Sequence, residues 1–264
     1  MRVERRTRIG LRAVALLYLA ALLAVPVGLV FYRTFEHGFG QFWDAITTPA
    51  AIHAFWLTIE VAAIAVPLNA IFGVLAALAL VRGRFRGKAV LDALIDLPFA
   101  VSPVVVGLSL ILVYGRGGWL ADLPFQVIFA VPGIVLATVF VSLPFVAREV
   151  APVLREIGDE QEQAAATLGA SAWQSFWRVT LPAIRWGLVY GVVLSTARAI
   201  GEFGAVSVVS GKISGETETL TLLVEKRFQN FDLAGAYAAS ALLALIALAT
   251  LLAMTLLNTR RSDG

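Results

Sequence analysis

Five charge-free apolar runs, Ala13–Tyr32, Val61–Val81, Leu97–Gly115, Leu123–Ala147 and Leu233–Thr259, dominate the chain. A helix needs roughly 20 mostly apolar residues to cross the hydrocarbon core of a bilayer. A sixth run, Trp186–Gly211, is apolar apart from Arg198 and Glu202. None alternates with the period of two that a barrel strand requires. The pattern therefore predicts an all-α, polytopic membrane protein with about six transmembrane helices, each closing its backbone hydrogen bonds internally. Residues 1–264 read as a single transmembrane domain. The first run has the basic flank of a signal peptide, but it is too long for an h-region and no A-x-A site is evident, so it is expected to remain as a span.

Composition agrees: 59% of residues are hydrophobic and 15% charged, against about 45–50% and 25% in soluble domains. Such a chain is neither disordered nor an ordinary soluble enzyme. The absence of cysteine removes thiolate metal sites and cysteine nucleophiles, and no metal site is expected. A net charge of +3 suggests nucleic acid only until its distribution is read. Arg2, Arg5, Arg6, Arg8 and Arg12 precede the first run, Arg82, Arg84, Arg86 and Lys88 fill the second connection, and Arg148, Arg155, Arg178 and Arg185 the fourth. Arg260 and Arg261 follow the last run. The opposite side holds only Arg33, Arg116, Lys212, Lys226 and Arg227. By the positive-inside rule both termini are expected in the cytoplasm. His37 and His53 fall in the first outer loop, with solvent-facing positions the plain expectation. Pro26, Pro67, Pro98, Pro103, Pro132 and Pro144 lie within apolar runs and predict kinks.

The fourth connection, residues 148–185, is the longest inner loop. Ala151–Leu168 reads as one helix ending at Gly169, which suits the left-handed position past a helix end. Ser171 and Gln174 have the spacing of a capping box. They open a second helix that carries Trp173, Phe176, Trp177 and Val179 and is expected to stop before Pro182. The loop is thus a helix, a sharp turn and a short helix: a rigid elbow. On physical grounds alone it can equally be an interfacial amphipathic hairpin with its aromatics on lipid.

The spacing Gln163-Ala164-Ala165, three residues, Gly169, nine residues, Val179-Thr180-Leu181-Pro182 resembles the EAA signature of ABC-importer permeases. Two mild departures are Gln163, preceded by Glu162, where glutamate is usual, and Val179 for isoleucine. Asp96-Leu-Pro-Phe-Ala-Val-Ser-Pro103 and Ala197-Arg-Ala-Ile-Gly-Glu-Phe-Gly-Ala205 are similar to segments of sulfate and molybdate permeases. Ser207–Gly215 with Thr219–Leu222 resembles the W-type permease subunit of sulfate/thiosulfate importers. The resemblance runs from about Leu11 to Leu257. It implies the type I ABC-importer permease architecture in a bacterial inner membrane. It also implies a T-type permease partner, two ATPase subunits and an extracytoplasmic sulfate-binding protein. Glu162, Gln163, Ala164, Ala165, Gly169, Leu181 and Pro182 are then the ATPase-coupling candidates. No cofactor is expected in this chain, since ATP and magnesium belong to the partner ATPase.

Arg198 and Glu202 are four residues apart and share a helix face. A charge inside a membrane costs about 2.5–3.5 kcal/mol even on lenient scales and is normally paired or functional. The pair reads either as a structural pin or as a gate in which Arg198 attracts an oxyanion. Ser102, Ser109, Ser142, Ser195 and Thr196 offer hydroxyls to such a path or to interhelical packing. The last outer loop, Gly211–Asp232, reads by default as solvated, or alternatively as a lid or a binding-protein contact.

No catalytic residue is expected. The chain lacks G-x-x-x-x-G-K-[ST], and both histidines lie outside the spans, against an intramembrane protease. A molybdate or tungstate permease and a proton-coupled anion transporter working through Glu202 are the alternatives. The latter leaves the elbow unexplained.

Overall fold

Two long segments absorb a proline by widening one turn instead of breaking. In the computed structural model, which describes residues 5–262, α1 (Arg5–Leu19) passes through a π turn at Ala20–Ala24 into α2 (Val25–Phe35). Arg2 of the basic flank lies outside the described residues. The amide of Val25 bonds the carbonyl of Ala20, five residues back, immediately before Pro26. A proline lacks the N–H and its ring collides with the carbonyl four residues earlier, so a wider turn relieves the clash.

The short α3 (Phe39–Ile46) buries Phe42 beside Ala238 and Ala241. α4 (Pro49–Arg82) opens with the Thr48 hydroxyl accepting the Ala51 amide at 3.3 Å, and Pro49 stands at the first turn, where no amide is needed. Its 34 residues cover about 51 Å, well beyond the Val61–Val81 run. This corrects the expectation for His53, which lies on the helix, partly buried, with Nε2 unpartnered. His37 is exposed in a turn.

The Leu97–Gly115 run is broken. α5 (Lys88–Ala100) and α6 (Pro103–Tyr114) meet at 112°, because Ser102 precedes a proline and is held extended at φ −58°, ψ 133°. The Leu123–Ala147 run begins its helix late, since Ala130 is extended and Phe129 has φ 61°. α7 (Val131–Ile157) then continues past Ala147 and Pro152, and Gly158 at φ +65° ends it. The expected single helix Ala151–Leu168 is therefore the end of α7, a glycine break, and α8 (Glu160–Thr167).

The second arm of the elbow also differs from expectation. α9 (Ala172–Ser175) runs through a second π turn, Phe176–Thr180, into α10 (Leu181–Ile200). Leu181 bonds the carbonyl of Phe176 just before Pro182, the same device as at Pro26. α10 stops at Gly201, short of the Trp186–Gly211 run, and α11 (Val206–Val209) follows the break. The segment 211–232 contains α12 (Leu220–Gln229) and buries Glu218, Leu220, Leu222 and Leu223, so it is a packed cap and not a solvated loop. α13 (Leu233–Ser262) closes the chain. Among the described residues there is no strand; five helices are long and apolar enough to span, and α5 with α6 makes a sixth, bent one.

Glycine lets α4, α7 and α10 meet closely. A Cβ on Gly73 would lie 2.6 Å from Val146 Cβ, and one on Gly191 2.9 Å from Val146 Cα. One turn away, buried Asn69 donates to Ser142 Oγ at 2.7 Å, and Ser195 is fully buried. Ser142 and Ser195 thus belong to helix packing. We expect Gly73→Leu to lower the thermal midpoint in detergent sharply, as overpacking costs about 1–3 kcal/mol or more. Gly28→Leu, with open space around it, should leave the midpoint unchanged. The accessible surface is 16190 Å², against about 11,000 Å² for a soluble monomer of this mass. The difference is the excess apolar surface expected of a chain that faces lipid.

Candidate functional site: the elbow and the crossing of two broken spans

The elbow turn is a Schellman motif. Gly169 has φ +86°, its amide bonds Ala166 O at 3.0 Å, and the Ala170 amide bonds Ala165 O at 3.0 Å. The capping box follows as the spacing predicts, with the Ser171 amide donating to Gln174 Oε1 at 2.9 Å and the Gln174 amide to Ser171 Oγ at 3.3 Å. Both ends of the turn are thereby saturated. No residue of α8 is buried. Gln163, Ala164 and Gly169 are exposed and Leu168 is 88% exposed. Ala164, Ala165, Leu168, Val179 and Pro182 line one open groove. Leu181 instead packs against the core formed by Val74, Val146, Val150, Leu154 and Ile184.

Glu162 does not join the exposed face. It takes Arg82 Nε at 3.0 Å and Nη2 at 3.3 Å, and its Oε1 also accepts the Thr180 hydroxyl at 2.8 Å. Arg82 additionally donates to Leu154 O at 3.1 Å and to Gly158 O. In the sequence Arg82 carries no functional mark, and Thr180 stands only at the variable position of the signature. Arg82 counts only as a topology charge at the end of a span, and its Gly83 neighbour signals nothing about the partner 80 residues on. A second clamp, Arg148 to Asp92 at 2.9 Å and Asp96 at 2.6 Å, holds α5 against α7.

At the other end of α10 the two broken spans cross. Pro103, next to Ser102, sits so close to Gly204 that a Cβ there would be 2.8 Å from Pro103 Cβ. A Cβ on Gly107 of α6 would likewise be 2.7 Å from Val208 Cβ of α11. Arg198 pairs with Glu202 at 2.5 Å; the arginine side chain is 32% exposed and the carboxylate 2%. Glu202 lies past the helix end, where Oε1 accepts the Ala205 amide at 2.9 Å and its carbonyl takes the Thr221 hydroxyl at 2.9 Å. Ser102 is exposed and caps no amide of α6. Ser109 and Thr196 bond carbonyls of their own helices.

Long and broken apolar helices joined by a capped elbow define a multi-pass membrane protein. Residues 69–263 match the family described as binding-protein-dependent transport system inner membrane component, and the chain belongs to that family. A Synechocystis protein named sulfate transport system permease protein CysW is 51% identical over 252 residues, 94% of this chain and 91% of that protein. The Escherichia coli K12 protein of the same name is 48% identical, covering 94% and 86%. The E. coli protein named CysT is 41% identical, covering 94% and 90%. Among solved structures, a chain of a bacterial ABC transporter for the acidic polysaccharide alginate shares the fold, with TM-score 0.75 at 15% identity over 97% of this chain and 94% of that one.

Proposed function

We propose that this chain is one of two permease subunits of an ATP-driven importer of sulfate or thiosulfate, with both termini and the elbow in the cytoplasm. Its partners are a T-type permease, two ATPase subunits that bind the ATP and magnesium, and an extracytoplasmic sulfate-binding protein. The observation that supports the substrate is 48–51% identity over 94% of the chain to proteins named as sulfate permeases. The elbow supports the coupling role. The exposed side of α8 at Gln163 and Ala164, with Leu168 just past its end, offers small and apolar surface to an ATPase cleft, and a capped helix transmits a push that a flexible loop absorbs. Because α9, the π turn and α10 are continuous, motion of the elbow reaches Arg198 along one rod. At its far end Ser102, Arg198 and Glu202 border the anion path. The arginine attracts a dianion and Glu202 limits how tightly it is held, as conduction requires.

The test is ATP turnover by the reconstituted complex in proteoliposomes. Sulfate- or thiosulfate-loaded binding protein is expected to stimulate turnover and uptake, and the molybdate-loaded protein is not. Stimulation by molybdate alone, or uptake abolished by a protonophore with ATP present, would overturn this reading.

A further inference from the structure

We infer that Arg82 is a positioning residue for energy coupling: a latch that ties the coupling helix α8 to the spans α4 and α7, so that ATPase movement is passed to the bundle. The inference rests on the function proposed above. It is carried by one observation about packing and one about polar contacts. α8 has no buried residue, so apolar contact does not fix it to the bundle. What reaches it from α4 is the Arg82 fork on Glu162, at 3.0 and 3.3 Å. The same guanidinium takes Leu154 O and Gly158 O. These carbonyls lie at the end of α7, where helices leave acceptors unpaired and favour a cation. Thr180 adds the start of α10 to the knot through Glu162 Oε1. Four elements therefore converge on one arginine, and both partners are largely shielded, at 22% and 24% side-chain exposure. A planar fork gives this geometry direction as well as strength; a lysine at the site could hold only one partner well.

The experiment uses the complete complex in proteoliposomes and reads ATPase co-purification, turnover with loaded and unloaded binding protein, and sulfate taken up per ATP. Arg82→Gln is expected to keep the ATPase bound, since the exposed face of α8 is untouched. Uptake per ATP should fall about tenfold, on the scale of a lost charge-assisted fork. Arg82→Lys should recover part of it. Glu162→Gln should fall less, and the double variant Arg82→Gln/Glu162→Gln should be no worse than Arg82→Gln, as expected for two residues acting through one connection. Unchanged uptake per ATP in both single variants, or multiplicative losses in the double, overturns the latch. If Arg82→Gln does not assemble, Glu162→Gln and Thr180→Val, each removing only part of the knot, decide by the same ratio. A wild-type complex that loaded binding protein fails to stimulate overturns the proposed function instead, so the two failures are distinct.

Discussion

Gly169→Val is expected to release the partner ATPase and abolish uptake, whereas Gly169→Asn keeps both. Nothing lies within 4 Å of a Cβ built at this position, so the effect is not a clash with neighbouring side chains. It comes from the backbone: φ is +86°, a conformation that costs an L-residue about 1–2 kcal/mol and a β-branched one more. The Schellman bonds from Gly169 and Ala170 to Ala166 and Ala165 depend on that conformation. With valine the chain relaxes to negative φ and the bonds open. α8 then leaves its angle to the second arm, which the Ser171–Gln174 box holds separately. Asparagine tolerates the left-handed region and should retain the turn. Gly169→Asp should fall between them, because it also tolerates the conformation but puts a negative charge at a helix C-terminus. Co-purification of ATPase with the permease, followed by stimulated turnover, reads all three. A stimulated, fully assembled complex carrying the valine substitution would refute the proposal that the turn sets the docking geometry.

The elbow was legible in the sequence because its signals are local. Gly169, Ser171 and Gln174 act within three or four residues of themselves, and each is found where its type predicts. The spans were legible as lengths of apolar chain but not as shapes. Hydropathy does not register that Ser102, forced extended by Pro103, turns α5 from α6 by 112°, or that Gly201 ends α10 inside an apolar run. Proline has three outcomes in this fold: Pro67, Pro98, Pro144 and Pro152 lie inside α4, α5 and α7 without a π turn or a break. At Pro26 and Pro182 a π turn keeps the helix continuous, while at Pro103 the chain breaks. The expected stop before Pro182 failed on that distinction, and a single residue type cannot convey it. Glu162 shows the other limit. It is a coupling candidate because it precedes Gln163 in the motif, but its partners are Arg82, 80 residues earlier, and Thr180 across the turn. Tertiary contacts, which no local pattern carries, tie this coupling candidate to α4 and to the start of α10.

Glu202→Ala is expected to cause a large loss of stability at the crossing of the broken spans. It removes the counter-ion of Arg198 and leaves the Ala205 amide, now bonded at 2.9 Å to Oε1, without its acceptor. Loss of that buried acceptor costs about 1–3 kcal/mol, and Arg198, at 32% side-chain exposure, is left unpaired but not enclosed. Glu202→Gln retains an acceptor for Ala205 but not the charge, and should lose roughly half as much. The double variant Arg198→Met/Glu202→Gln strands no charge, so its thermal midpoint should return close to that of the parent protein. Uptake separates the two roles of the pair. If it only pins α10 to the break, the stable double variant transports normally. If Arg198 supplies the field that draws the dianion across this level of the bundle, the double variant folds, binds ATPase and still fails to import. The second outcome is expected. Arg198 keeps 32% of its side chain exposed while Glu202 keeps 2%, so on the proposed function the guanidinium is the partner a dianion can reach. Normal sulfate uptake by a folded double variant would remove Arg198 from the path and leave the pair a structural one.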